Sequence, residues 1–427
     1  MSEVRRALAA DAAKSSPSGT VLDVTNTLTQ NSYTDPNDMS DQTDPLLQWR
    51  DEFPILAHTT YLISHSLAPM PRRVQTALAE YAHTWATRGI RAWEEGWWDM
   101  PVTCGNLIAN IIGAAPGRVV MHQNVSICQT IVTSCFDWSD PKRNKLVTDG
   151  LNFPSNDYIY YGLERQGAEI FSVPPAPDGL TVDTQHILNA IDEQTQLVSI
   201  SHVAFRSSAL QDLHAITEKA HAVGAYIVAD LYQSAGIVPI DVTALNLDFA
   251  TGGSVKWLLG GPGAGYLYVR PDLDLELEPT AIGWAAHAHP FDFAPGPIQY
   301  APDITRYLNG TANVPAMYSA RSGYEIVNEI GVPAIRAKSI RQTQLLIQLA
   351  DEAGITVRSP RDPEARGGVI ILDVPKKRGR EIVAELARRE ILIDFRPGAG
   401  VRIAPHFYTA DHELHHAIHE LKSILHA

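Results

Sequence analysis

Between about residue 103 and residue 270 the chain alternates two hydrophobic patterns. Short, nearly continuous apolar runs recur as RVVMH, KLVTD, EIFSV, LVSIS, AYIVAD, LDFAT and GAGYLYV. Between them lie stretches with an apolar residue at every third or fourth position: SICQTIVTSCF, SNDYIYYGLERQ, TQHILNAIDE and LQDLHAITEKAHAVG. The first pattern predicts strands buried on both faces, and the second predicts the helices that cover them. Their alternation predicts an α/β fold: a mainly parallel seven-stranded sheet with helices on both sides. Sheets of this kind bind ligands beyond the carboxyl ends of their strands.

Outside this region the pattern changes. Residues 1–45 are rich in Ser, Thr, Asp, Asn and Gln, which predicts a flexible arm or one ordered by a partner subunit. Order is expected from LLQWRDEFPIL onward. PMPRRVQTALAEYAHTWATRG predicts a helix with prolines at its start and Gly89 at its end. Residues 271–314 are loop-rich, and a long helical pattern then runs from Pro315 to about Ala350. A smaller α+β unit closes the chain with GGVIILDVP, EIVAELARRE and GVRIAPHFY. The expected organisation is an arm over 1–45, a large domain over 46–314 and a small C-terminal domain over 315–427.

Composition narrows the function classes. The 427 residues are 45% hydrophobic and 19% charged, enough to bury a large core. A net charge of −14, from 34 basic and 48 acidic side chains, argues against a nucleic-acid binder. Cys104, Cys128 and Cys135 match neither a disulfide framework nor a zinc motif, so reduced core thiols are expected. No stretch is apolar and long enough to cross a bilayer, and the N-terminus lacks the apolar core of a signal peptide. A cytoplasmic enzyme without a membrane partner is expected. In DHELHHAIHEL, His412, His416 and His419 share one helical face opposite the stripe Leu414, Ile418, Leu421 and Leu425. Solvated histidines are therefore expected there, and no metal site.

Candidate chemistry lies at the strand ends. YIVADLYQSAG ends one strand in Asp230, and GGSVKWLLGG places Lys256 at the end of a later one, among glycines that let other groups approach the backbone. A carboxylate and an amine at neighbouring strand ends suit a pyridinium cofactor: the amine bonds to it, and the anion keeps its ring nitrogen protonated. Asp230 could equally cap a turn. In MHQNVSICQTIV a strand runs through Asn124, Val125 and Ser126 into a helix whose first amides suit a phosphate, although Asn124 or Ser126 could be an ordinary cap. Phe153 in DGLNFPSNDY follows a strand, where it could stack on a planar ring or belong to the core. Arg402, alone in an apolar strand, suits a substrate carboxylate or an inter-domain salt bridge. GGPGAG follows the lysine rather than a first strand, so a dinucleotide loop is rejected.

From about Tyr61 to Tyr408 the chain resembles the aminotransferase class V branch of the fold-type I pyridoxal-phosphate enzymes, and within it the kynureninases. The matching stretches are YLISHSLAPMP, WEEGWWDMP, NLIANIIGA, NFPSNDYIYYGL, ADLYQSAGIVPIDV, SVKWLLGGPGAGYLYV, IGWAAH and RYLNGTANVPAM. The resemblance implies a pyridoxal 5'-phosphate cofactor bonded to Lys256, with Asp230 on its ring nitrogen and Phe153 on its ring face. It places Val125, Ser126, Ser254 and Trp284 at the phosphate, with Thr311 reaching across from the other subunit of a homodimer. Asn156 and Gln233 fall at cofactor-contact positions, and His65 and Arg402 on the substrate side. An α-amino acid substrate follows, with Arg402 on its carboxylate.

The same resemblance exposes departures. Kynureninases usually read Gly-Asn-Ser-Leu-Gly where this chain has Ser64, His65, Ser66, Leu67 and Ala68. A tyrosine before the lysine is replaced by Val255, a histidine after the aspartate by Gln233, and an aspartate after Phe-Pro-Ser by Asn156. HVAFRSSAL differs from an Asn-Tyr-Arg-Thr-Gly-like segment. The expected reaction is hydrolysis of the Cβ–Cγ bond of a γ-keto α-amino acid. A transaminase, an epimerase, a C–S lyase and a non-catalytic relative remain alternatives. Cysteine desulfurase is disfavoured, because no cysteine follows Cys135.

Overall fold

The computed structural model describes residues 44–274, 276–375 and 378–426. Of the expected arm, residues 1–43 lie outside the described residues. Asp44 is buried and pairs with Lys338 at 2.8 Å and Arg341 at 3.3 Å.

In chain order the first elements are β1 (Thr60–Tyr61), α1 (Arg73–Arg88), α2 (Met100–Ile111), β2 (Val119–His122) and α3 (Val125–Thr133). Next come β3 (Lys145–Asp149), α4 (Pro154–Leu163), β4 (Glu169–Val173), α5 (Thr184–Ala190) and β5 (Thr195–Ser201). They are followed by α6 (Leu213–Ala222), β6 (Tyr226–Asp230), β7 (Phe249–Gly253) and β8 (Gly265–Val269). After short 3-10 turns the chain continues with α7 (Val314–Ile330), α8 (Val332–Glu352), β9 (Ile370–Leu372) and α9 (Gly379–Arg388). It ends with β10 (Ile391–Leu392), β11 (Asp394–Arg396), β12 (Gly400–Ile403) and α10 (Asp411–His426).

The predicted strands form one seven-stranded sheet in the order β2-β8-β7-β6-β5-β3-β4. Its neighbours are parallel from β4 through to β7, and β8 runs antiparallel to both β7 and β2. Each central strand splits its apolar residues between two cores. Val147, Val198, Ile227 and Ala229 face one, while Leu146, Leu197 and Val228 face the other. That division is why these strands read as unbroken apolar runs.

The C-terminal unit has a separate apolar core around Leu346, Ile370, Leu372, Ile382, Ile403 and Leu421. Its small sheet is antiparallel, in the order β11-β12-β9. Strand β1 pairs in parallel with β10, so the segment that leaves β1 toward the main sheet starts from the edge of this unit. The expected helix from Pro315 to Ala350 is two helices. Gly331, at φ 84°, ends α7, and Pro333 sits in the first turn of α8. A left-handed glycine followed by a first-turn proline stops one helix and starts the next. On α10, His412, His416 and His419 are exposed while Leu414, Ile418 and Leu421 are buried, and no metal-holding group occurs among the described residues. Among those residues no helix is long and apolar enough to cross a membrane.

Helix α7 lies directly against the turn that follows β7. A Cβ on Gly323 would stand 2.7 Å from the Leu259 carbonyl carbon, so no side chain fits there. Gly323→Ala is expected to lower stability by roughly 1–3 kcal/mol through overpacking. Gly162→Ala, a helical position with open space around it, should be neutral or stabilising. Urea unfolding of the two variants beside the parent protein checks the contrast.

Candidate active site

The parallel strands bring Asp149, Ser201, Asp230 and Gly253 to one edge of the sheet, because each is the last residue of its strand. Asp230 is buried there. One carboxylate oxygen accepts from the Tyr232 amide at 2.8 Å and the other from the Asn156 side-chain amide at 2.9 Å. Behind Asn156, Asn152 gathers donors from Asn156 (3.1 Å), Ser201 (2.8 Å) and the Phe153 amide (2.9 Å). Burial raises the Asp230 pKa, while the Tyr232 amide, Asn156 and the Lys256 charge oppose that rise. A buried carboxylate with two donors and, among the described residues, no ion-paired cation calls for a positively charged partner.

Lys256 does not close a strand as expected. It lies in the turn beyond β7, which ends at Gly253. Gly253 has no room for a Cβ because the Tyr232 ring lies against it, and the Lys256 amine sits 4.2 Å from that ring's centroid. The same amine is 5.7 Å from the centroid of Phe153, a ring 44% exposed and braced edge-on by Phe205 at 5.3 Å. Burial lowers the Lys256 pKa to about 7, with Arg402 and Arg396 adding to the shift and Asp230 and Asp394 opposing it. The amine is thus substantially neutral, and nucleophilic, at physiological pH.

Helix α3 opens at the same edge. Asn124 caps it by accepting from the Ile127 amide at 3.1 Å, leaving the Val125 and Ser126 amides in the first turn, where anions are favoured. Lys256, Asp230, Asn156, Phe153, Val125 and Ser126 therefore all lie at or just beyond this edge. Their chemistry fits pyridoxal 5'-phosphate: an amine for the aldehyde, an anion for the ring nitrogen, an aromatic face and a phosphate-binding helix start.

Other expected residues are placed differently. Ser254 is fully buried, and its hydroxyl is engaged by the Ala264 carbonyl at 2.7 Å and by Tyr324, so it turns inward rather than toward a phosphate. Gln233 is also spent internally. Its amide donates to the His65 carbonyl at 3.1 Å and accepts from the Trp257 indole at 3.2 Å, stitching two loops together. Trp284 is 39% exposed in an aromatic cluster with Trp98, Phe291 and Phe293. Thr311 is exposed on the loop before α7.

Arg402 is buried and already engaged. It clasps Asp394 through Nε (2.7 Å) and Nη2, and its Nη1 donates to the Phe205 carbonyl at 2.6 Å. His65 is buried too, with Nε2 3.2 Å from Asp394 and Nδ1 without a partner. Burial lowers its pKa to about 4, with Arg402 adding and Asp394 opposing, so its ring is neutral and Nε2 carries the proton shared with Asp394. Sequence reasoning did not single out Asp394, Arg396, Tyr232 or Phe205. Asp394 and Arg396 were visible as charges alternating along an otherwise apolar strand, and Tyr232 by its place two residues after Asp230.

The neutral amine gives a direct test. In protein freed of bound small molecules, acylation of Lys256 should rise with pH through about 7, whereas an ordinary surface lysine needs pH near 10.4. Peptide mass spectrometry after short pulses of reagent measures this. A Lys256 profile matching the other lysines would contradict the depressed pKa.

The profile of the aminotransferase class-V family matches residues 60–413. The chain is 30% identical over 400 residues to a kynureninase of Pseudomonas fluorescens, covering 90% of this chain and 94% of that protein. It is 31% identical over 374 residues to a Bacillus subtilis protein described as the uncharacterized aminotransferase YcbU, covering 88% and 96%. Among solved structures, the apo cysteine desulfurase of Thermococcus onnurineus NA1 superposes with a TM-score of 0.80 at 20% identity, covering 91% of this chain and 100% of that one. The cystine C–S lyase C-DES, in complex with cysteine persulfide, gives 0.78 at 20% identity, covering 87% and 99%. Fold, strand-end chemistry and sequence likeness converge: the chain belongs to the aminotransferase class V family.

Proposed function

We propose that this pyridoxal 5'-phosphate-dependent enzyme hydrolyses the Cβ–Cγ bond of a γ-keto α-amino acid, as a kynureninase does. The carrying observation is the near-neutral Lys256 amine between the Tyr232 and Phe153 rings, at the sheet edge that ends in Asp230. The 30% identity to a kynureninase over 90% of the chain supports the choice of reaction.

When bound, the cofactor supplies an electron sink for charge developing at the substrate Cα. Lys256 holds it, then acts as the base that takes the Cα proton, a task suited to an amine that titrates near neutrality. Asp230 would favour a positive charge on the ring nitrogen, and the Asn156 donor favours the charged form of Asp230 and orients it. Phe153 would offer an aromatic face to the ring, and the first amides of α3 at Val125 and Ser126 would hold the phosphate. In the hydrolysis itself, water oxygen bonds to Cγ, the Cβ–Cγ bond breaks, and Cβ gains a proton. The products are alanine and a carboxylic acid.

A homodimer with a shared site completes this reading. Exposed Thr311 and the exposed aromatic cluster around Trp284 are the surfaces a second subunit would cover. We also divide the chain into a large domain over 46–314 and a small one over 315–427; a separate core around Leu346, Ile370 and Leu421 supports the small unit, while α7 packs into the large core. The second reading, C–S bond cleavage, is favoured by the solved neighbours alone. A cysteine nucleophile for it is opposed by the state of the thiols: Cys104 and Cys128 are buried, and burial pushes the Cys104 thiol up to about 12.

Borohydride treatment of the yellow holoprotein should bleach it and leave the label on Lys256; a label on another lysine would sink the assignment. Given a panel of γ-keto and β-substituted amino acids, the enzyme should release alanine plus an acid from at least one. Kynurenine itself should turn over slowly, because Val255 and His65 replace groups that kynureninases use. A keto acid product favours transamination, and racemised substrate favours epimerisation. Asp230→Asn should retain cofactor yet lose turnover by orders of magnitude.

Asn156→Asp tests the local electrostatics. It removes a donor to Asp230 and sets a second carboxylate beside it, which raises the pKa of the pair. Ionised Asp230 is then lost at a higher pH than in the parent. The acid limb of the pH–rate profile should therefore move to higher pH than in the parent. A pH–rate profile superimposable on the parent's would remove Asn156 from this role.

A further inference from the structure

Among the described residues the Tyr232 hydroxyl has no hydrogen-bond partner, although the residue is firmly placed. Its amide is tied to Asp230 at 2.8 Å, and its ring reaches from there across the end of β7. A Cβ on Gly253, the last residue of β7, would collide with the phenol ring and stand 2.5 Å from its oxygen. The phenol tip therefore fills the space that a side chain at position 253 would take. Burial raises the Tyr232 pKa to about 12, with Asp230 and the Cys128 thiol of α3 adding to the rise. The group thus stays protonated at physiological pH and has an O–H to donate.

The same face of the sheet carries the start of α3. Thr251, two residues before Gly253 and so on its side of β7, accepts from the Gln129 side chain of α3 at 2.9 Å. From that contact the strand runs on by about 7 Å to Gly253. Helix α3 runs back by about 6 Å to Val125, so both reach the sheet edge together. Gly253 pairs with Gly265 of β8, and directly opposed residues point to one face. A Cβ on Gly265 would stand 2.8 Å from the Asn124 carbonyl carbon. The phenol thus stands over one strand and the cap of α3 over the next, about 5 Å across the sheet. Two glycines keep the space between them free of side chains.

We propose that the Tyr232 hydroxyl is a ligand of the cofactor phosphate, donating to it from β7 while the Val125 and Ser126 amides donate from α3. It supplies the donor that Ser254 withholds, because that hydroxyl is engaged by Ala264 and Tyr324. The assignment rests on the reading that puts the phosphate at the start of α3, but not on the bond that is cleaved in the substrate. A phosphate presents several strong acceptor oxygens, more than one helix start can satisfy. A phenol does not titrate near neutrality, so its contact persists over the pH range in which Lys256 changes charge.

The test is a titration of the full chain, freed of cofactor, with pyridoxal 5'-phosphate and with pyridoxal, followed by visible absorption. Borohydride treatment and peptide mapping restrict both readings to the complex at Lys256. The parent protein should bind the phosphate ester far more tightly than pyridoxal. In Tyr232→Phe, which keeps the ring over Gly253, that preference should shrink by roughly 10- to 100-fold through weaker binding of the ester, with pyridoxal binding unchanged. A preference that survives in Tyr232→Phe would overturn the assignment of Tyr232 and leave the α3 site standing. Equal loss of both ligands would also overturn it, because that marks a packing role. A parent protein that binds the two forms equally would overturn the phosphate site at α3 itself, and this proposal with it.

Discussion

The site depends on burying one carboxylate at the end of a parallel strand. Asp230 is buried where β6 delivers it, and the donors from Asn156 and the Tyr232 amide favour its charged form against the burial that opposes it. Those two donors compensate the charge only in part, since burial still pushes its pKa upward. The balance must come from a cation. The parallel sheet places the turn carrying Lys256 beyond the neighbouring strand, close enough for the two charges to act on one another. Burial then makes the amine expensive to keep charged, so the same low-polarity setting that demands a positive partner for Asp230 delivers Lys256 largely as a neutral nucleophile.

A second consequence is the way the C-terminal unit is tied in. The segment leaving β1 starts from the edge of that unit and reaches the lysine turn, where the Ala68 amide donates to the Val255 carbonyl at 2.7 Å. Along it sits His65, which meets Asp394, and Gln233 ties the His65 carbonyl to Trp257 beside the lysine. The arginines of the small sheet are therefore held in register with an amine on the large one through fixed, buried hydrogen bonds. Displacement of this segment would move those arginines and the amine relative to each other.

Much of this was legible in the sequence. Buried parallel strands are apolar on both faces, so the seven runs and the position of Asp230 could be read directly, as could the use of glycine beside Lys256. What escaped was anything set by packing between distant segments. The family resemblance implied Ser254 at the phosphate, yet its hydroxyl is engaged by the Ala264 carbonyl ten residues on and by Tyr324 of helix α7. The family resemblance put Gln233 at a cofactor-contact position, and its partners are His65 and Trp257. Arg402 looked alone in an apolar strand because its counter-ion is a cross-strand neighbour, and strand pairing is not encoded in local pattern.

The positions at which the chain departs from kynureninases are best understood together. Asn156 replaces a carboxylate, and in doing so converts a contact that would have to share a proton with Asp230 into a plain donor–acceptor pair. Gln233 replaces an imidazole and turns a titratable neighbour of Asp230 into a neutral tie between loops. His65 replaces an asparagine, but its ring is held neutral and directed at Asp394 rather than at the reacting space. Together with Val255 in place of a tyrosine, three of these four changes remove an ionisable group, and the fourth adds one that stays uncharged. The charge that remains to be matched is concentrated on Asp230, Lys256 and the two arginines of the small sheet. Fewer of the groups around Asp230 and Lys256 can therefore change their charge with pH, and the state of that pair is set by burial and by fixed donors instead.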